Sequence, residues 1–139
     1  MEPIIAGALP SSRSDDEISY REICFSRNHS LPENGGVGQI PLTIHHQHQL
    51  PICTGTAGAY LRAVDYYQRT GKILDFSAVF IYKLNRLFDG LAMNVKGSTL
   101  KATMQTLYHK GVCQERFYPS TKNNCNHRFP HLQQGGKAL

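Results

Sequence analysis

A mainly helical domain is what this 139-residue sequence predicts, on three observations. Three successive segments between Cys53 and Gly111 carry apolar residues at helical spacing. Each is followed by a glycine able to stop a helix. The connections between them are short, so the middle of the chain forms one α-helical unit.

The first segment, CTGTAGAYLRAVDYYQR, begins at Cys53 and places Ala57, Tyr60, Leu61, Val64 and Tyr67 on one stripe. Small residues fill its first turns (Gly55, Ala57, Gly58 and Ala59), which predicts close packing at that end. Thr70-Gly71-Lys72 ends it, with Gly71 as a left-handed cap. The second segment starts near Ser77, carries Val79, Phe80, Tyr82, Leu84, Leu87 and Phe88, and closes at Asp89-Gly90. The third follows Gly97-Ser98, with Ser98 as the expected cap, and carries Leu100, Met104, Leu107 and Tyr108 to the stop at Gly111.

Residues 1–30 mix Pro, Ser, Arg and Asp with few apolar residues and read as a poorly ordered N-terminal extension. Leu31-Pro32-Glu33-Asn34-Gly35-Gly36 is a turn or linker signal, which sets the folded domain at 31–119. Within it, Ile40-Pro41-Leu42-Thr43-Ile44 is extended, because Pro41 biases its predecessor toward β or polyproline conformation, and it leads into the polar stretch HHQHQ. Residues 120–139 lack periodicity and form a polar tail or the start of a second domain.

Composition narrows the function. Hydrophobic residues make up 40% of the chain, enough for a core, and charged residues 18%. The net charge of +5 comes from Lys and Arg scattered singly, without the basic run or aromatic interleaving that nucleic-acid binding requires, so no nucleic-acid partner is expected. No apolar stretch approaches the roughly 18 residues of a membrane span. The N-terminus lacks a basic n-region, so no signal peptide is read and a cytoplasmic location is the default. Cys24, Cys53, Cys113 and Cys125 stand too far apart for a small disulfide scaffold.

Cys53 is the residue that stands out chemically. It opens an amphipathic helix, where unpaired N–H groups and the positive dipole end favour a thiolate, the nucleophilic form. On this ground it is expected to be the most reactive of the four thiols, the other reading being a small buried hydrophobe. A rival constellation is Cys125 with His127 and His131, since thiolate and imidazole together suit zinc; its spacing is not that of a standard finger, and His45, His46 and His48 would join it only through the fold. The same residues also read as a polar tail that binds nothing, and no cofactor or metal is expected.

The segment Gln47-His48-Gln49-Leu50-Pro51-Ile52-Cys53 resembles, at the same spacing, the Gln-Gly-x-x-Gly-Ser-Cys loop before the nucleophile of papain-like cysteine peptidases. The resemblance continues in order. Cys53-Thr54-Gly55-Thr56-Ala57-Gly58-Ala59 is similar to a variant with Thr after the nucleophile. Phe76-Ser77-Ala78-Val79-Phe80-Ile81-Tyr82 is similar to the Leu-Ser-Pro-Gln-Phe-Leu-Tyr opening of the second helix. Gly97-Ser98-Thr99-Leu100 and Gly111-Val112-Cys113 through Tyr118-Pro119, with Glu115 in register, resemble the third helix and its exit.

What the resemblance implies is an α+β papain-like fold, of which this chain supplies mostly the α-helical left domain. It implies a peptidase that works through a Cys53 thioester, with Gln47 donating to the oxyanion and a peptide or protein as substrate. The family's catalytic His and Asn lie on a second, β-rich domain beyond the last residue here. None of His109, His127 and His131 stands in such a context, so the base is expected from a second domain or chain, and this chain alone is expected to be incomplete or inactive. A catalytically dead, peptidase-like binding protein or gene remnant and a small Cys/His metal-binding protein are the alternatives. The loop departs from the family where His48, Pro51 and Ile52 replace glycines and serine, and Leu50 stands where many members carry a disulfide cysteine.

Overall fold

The computed structural model describes residues 7–11, 35, 38–91 and 95–126. The linker reading at 31–36 apart from Gly35, the tail beyond 126, His127, His131 and Cys24 lie outside them. In chain order the elements are β1 (Ala8–Leu9), α1 (Cys53–Thr70), α2 (Ala78–Asp89), β2 (Ser98–Thr99), α3 (Leu100–His109) and α4 (Lys122–Asn126). Between Cys53 and Gly111 the described chain is helical apart from its connections and two-residue β2, as the periodicity predicts.

The helix stops are the expected ones. Gly71 caps α1 at φ 67° and returns its N–H to the Tyr67 carbonyl, and Gly90 caps α2 at φ 60°. Ser77 caps the start of α2 through its side chain, accepting from the Phe80 amide. At the start of α3 the cap is Thr99, one residue later than expected: its hydroxyl accepts from the Ala102 amide at 3.0 Å. The Asp89 carboxylate accepts from Ser98 Oγ at 2.9 Å and from Thr99 N and Oγ1 at 3.1 and 2.7 Å.

The buried faces differ from the apolar stripes. In α1 the buried residues are Thr54, Gly55, Gly58, Ala59 and Ala63, while Ala57 and Leu61 are exposed. Close approach explains this: a Cβ on Gly55 would stand 2.3 Å from the Ala78 carbonyl oxygen, and one on Gly58 would stand 2.6 Å from Thr103 Cγ2. Glycine is therefore what lets α2 and α3 seat against the front of α1. In α3 the buried face is Ala102, Thr103 and Thr106, whereas Leu100, Met104 and Tyr108 are exposed. Leu87 and Phe88 at the end of α2 are exposed as well.

Val79, Ile81 and Tyr82 of α2 centre the core, with Ile52, Ala59, Ala63, Phe76 and Ala78 around them. Asn85 is fully buried between α2 and α3, its amide donating to Ile81 O at 2.9 Å and Thr106 Oγ1 at 2.7 Å and accepting from Thr103 Oγ1 at 2.7 Å. That satisfies a polar group which burial would otherwise penalise. Phe76 forms an antiparallel bridge with Gln114, fixed by Ser77 N donating to Cys113 O and Glu115 N donating to Asp75 O. No described helix is long and apolar enough to cross a membrane.

Residues 7–11 fall within the N-terminal extension, and β1 pairs in parallel with β2, Ala8 opposite Ser98 and Leu9 opposite Thr99. This two-stranded ladder lies beside the start of α1, where Gly7 meets Pro51 and Cys53.

Candidate active site

The approach to α1 is built by a tight turn. Leu50 N donates to the Gln47 carbonyl at 3.2 Å, and Gln47 Nε2 donates to the Leu50 carbonyl at 3.1 Å, so backbone and side chain close the same loop. His48 sits inside it at φ 53°, the single non-glycine residue with positive φ among those described. The left-handed backbone there is one that glycine adopts more readily than histidine.

Ile52 follows, 2% exposed, and starts α1 with no side-chain cap; its carbonyl accepts from Thr56 N at 2.8 Å and Thr56 Oγ1 at 3.1 Å. Cys53 is thus the first residue of an 18-residue helix. The backbone N–H groups of such a first turn have no acceptor inside the helix and point outward, toward any acceptor that approaches its N-terminal end. The thiol is free and half-buried.

Cys53 is covered by a segment of the N-terminal extension that the sequence gives no role. A Cβ built on Gly7 would stand 3.1 Å from Cys53 Sγ and 2.5 Å from the Pro51 carbonyl oxygen, so the Gly7 backbone lies across the thiol. The sequence signal for it is the apolar run Ile4-Ile5-Ala6-Gly7-Ala8-Leu9 ahead of Pro10, a strand-like stretch in an otherwise polar extension.

Gln47 and Cys53 share one loop, but no hydrogen bond joins them; one N–H of the Gln47 amide is spent on Leu50, and the other has no partner among the described residues. The described histidines gather elsewhere. His45 Nε2 lies 3.3 Å from Asp75 Oδ1, and the His45 amide donates to Tyr60 OH. His46 and His48 stack at 4.9 Å between ring centroids, and His109 packs against Tyr108 and Phe88. A cavity of about 240 Å³ is lined by His45, His46, Gln47 and His48 with Tyr60, Asp75 and Glu115, and Cys53 is not part of its wall. No hydrogen bond links any described histidine to the Cys53 thiol.

Cys125 lies in α4 and packs against the core. Burial raises its thiol above the ordinary range despite the lowering influence of Lys83 and Arg86. Burial also raises Cys113, and Glu115 adds to that. Among the described residues no group of three His, Cys, Asp or Glu side chains stands together in a way that would hold a metal ion.

No family model matches the chain, and no curated protein does. Among solved structures, xylellain, a cysteine protease from Xylella fastidiosa, matches with a TM-score of 0.66 at 21% sequence identity; the match covers 83% of this chain and 42% of that one. The chain therefore spans less than half the length of the structure it matches, and the likeness shows a shared fold, the papain-like cysteine-protease fold in part.

Proposed function

We propose that this chain carries the nucleophile of a cysteine-type peptidase site, with Cys53 as the attacking residue. The observation that carries the reading is the placement of Cys53 at the head of α1, the longest described helix, beside a backbone edge on which an extended segment already lies. The fold shared with a cysteine protease supports it.

In this reading the Cys53 thiolate attacks a peptide carbonyl carbon, and the new C–S bond pushes an electron pair onto the carbonyl oxygen. The Cys53 backbone N–H and the second N–H of the Gln47 amide donate to that oxyanion. Collapse breaks the C–N bond and leaves a thioester, which water then hydrolyses. The departing amine needs a proton, and general acid–base help typically supplies about a hundred- to ten-thousand-fold. His45, His46, His48 and His109 are engaged away from the thiol, so the proton donor comes from outside the described residues.

An extended peptide carrying a vinyl sulfone tests this. The adduct, mapped by mass spectrometry, should sit on Cys53, form faster than with the same warhead lacking the peptide, and vanish in Cys53→Ser. An adduct mainly on Cys113 or Cys125, or equal rates with and without the peptide, would remove Cys53 as a site nucleophile.

A further inference from the structure

The strip of chain that leads into the Gln47 turn rests on little packed surface. Leu42 and Leu50 pack against the core at its two ends, but Thr43, Ile44, His45 and His46 between them are exposed, Ile44 by 88%. The cavity of about 240 Å³ is lined both by residues 42–48 and by Thr56, Ala59, Tyr60 and Ala63 of α1, so strip and helix do not close on one another along this length. Side-chain packing therefore leaves the middle of the strip unfixed, and hydrogen bonds have to set its course.

Tyr60 supplies two of them. Its hydroxyl accepts from the His45 amide at 2.8 Å and donates to the Thr43 carbonyl at 2.6 Å. Both are backbone groups, so one side chain holds the strip on either side of Ile44. From there the strip is tied by its own bonds: the His48 amide donates to His46 Nδ1 at 2.8 Å, Gln47 Nε2 to Leu50 O at 3.1 Å and Leu50 N to Gln47 O at 3.2 Å. His45 Nε2 also meets Asp75 Oδ1 at 3.3 Å, but both side chains are about two-fifths exposed, and such a pair contributes little. A position set at Thr43 and His45 is thus handed on to Gln47 through a short, internally bonded stretch.

We propose that Tyr60 is a positioning residue for the Gln47 amide, which it holds in register with Cys53 by anchoring the strip to α1. The proposal rests on the reading of Cys53 as nucleophile and Gln47 as oxyanion donor, and adds the group that sets the distance between them. α1 carries the thiol at its head and the phenol about two turns further on, so one rigid helix bears both the attacking atom and the anchor of the donor that answers the attack. A donor stabilises an oxyanion in full only if it is already aimed when the charge develops. Displacement by about 1 Å, from a change away from the reacting atoms, can cost roughly a hundredfold. Tyr60→Phe keeps the ring on the cavity wall and removes the hydroxyl with both of its backbone bonds.

Two measurements on Tyr60→Phe in the full chain test this, and the first needs no chemistry at Cys53. Amide hydrogen exchange should quicken roughly threefold or more at His45 and also at Leu50, whose N–H closes the Gln47 turn, while the buried Ile81 of α2 keeps its rate and reports intact folding. Acylation of Cys53 by the p-nitrophenyl ester of an N-acyl glycine passes through an oxyanion and should slow roughly tenfold. Alkylation of the same thiol by iodoacetamide, a displacement at saturated carbon that forms no oxyanion, should keep its rate. In a Gln47→Ala background Tyr60→Phe should slow acylation no further, because the two act as one unit. Unchanged exchange at Leu50, acylation and alkylation slowed alike, or a full Tyr60→Phe effect in the absence of Gln47 would overturn the proposal. A wild-type chain that is not acylated at Cys53 would instead overturn the reading of the nucleophile, and exchange at Leu50 then decides alone whether Tyr60 positions the turn.

Discussion

The His48 amide donates to Nδ1 of His46 at 2.8 Å, across a turn in which His48 holds a left-handed backbone at φ 53°. A side chain in that region costs about 1–3 kcal/mol unless its surroundings enforce it. His48→Gly should therefore stabilise the chain by about 1 kcal/mol, and His48→Val, β-branched and poorly suited to positive φ, should destabilise it by at least as much. Urea unfolding of the two variants checks this. Equal midpoints for glycine and valine would mean that the loop does not hold its shape in solution.

Ser120 Oγ donates to Glu115 Oε2 at 2.8 Å and accepts from the amides of Ala78 and Val79 at 3.1 and 3.3 Å. With Ser77 it satisfies the start of α2, and Glu115 places a negative charge near the positive end of that helix. Ser120→Ala should cost about 1–2 kcal/mol, because two amide donors and a carboxylate oxygen lose a partner together. Thermal unfolding should register it. A midpoint unchanged from wild type would place the cap elsewhere.

Burial holds the Cys113 and Cys125 thiols above their ordinary range. A group whose pKa is raised by folding contributes stability that is fully present below its unfolded pKa and is lost as pH rises through the folded one. Stability should therefore fall as pH rises through about 8.5, where unfolded thiols are half ionised. The fall should be shallower in the Cys113→Ala, Cys125→Ala double variant. Urea midpoints between pH 7.5 and 10 measure it, and equal slopes for the two proteins would contradict a role for these thiols.

The helices were legible in the sequence because their ends are written locally. Ser77 as a cap and Gly71 and Gly90 as left-handed stops need no tertiary information. Which face is buried was less legible. Hydrophobic periodicity weights large side chains, so it chose Leu61, Leu100, Met104 and Tyr108, all of them exposed. Close approach of helices instead selects small residues such as Gly55, Gly58, Ala102 and Thr103. The cap falls on Thr99 instead of Ser98, and Asp89 in the preceding helix binds both hydroxyls, a long-range contact that the local sequence does not announce.

At the site, the position of Cys53 was readable from the loop before it and the helix after it. Gly7 was not, since its meeting with Cys53 and Gly97 depends on bringing together three distant parts of the chain. The spacing from Gln47 to Cys53 likewise said nothing of where the Gln47 amide would donate, and the structure gives one of its N–H groups to Leu50.

That Cys53 is a nucleophile whose acid–base partner lies outside the described residues is tested most directly by a pair of substrates. The p-nitrophenyl ester of an N-acyl glycine loses a leaving group that needs no proton, whereas the p-nitroanilide of the same N-acyl glycine needs one. With the ester, the wild-type chain should release about one equivalent of nitrophenol in a burst as the acyl group transfers to Cys53. The burst should be absent in Cys53→Ala, and the anilide should remain uncleaved by both chains. Acyl groups found on Cys113 or Cys125 instead of Cys53, or anilide cleavage that persists in Cys53→Ala, would contradict it.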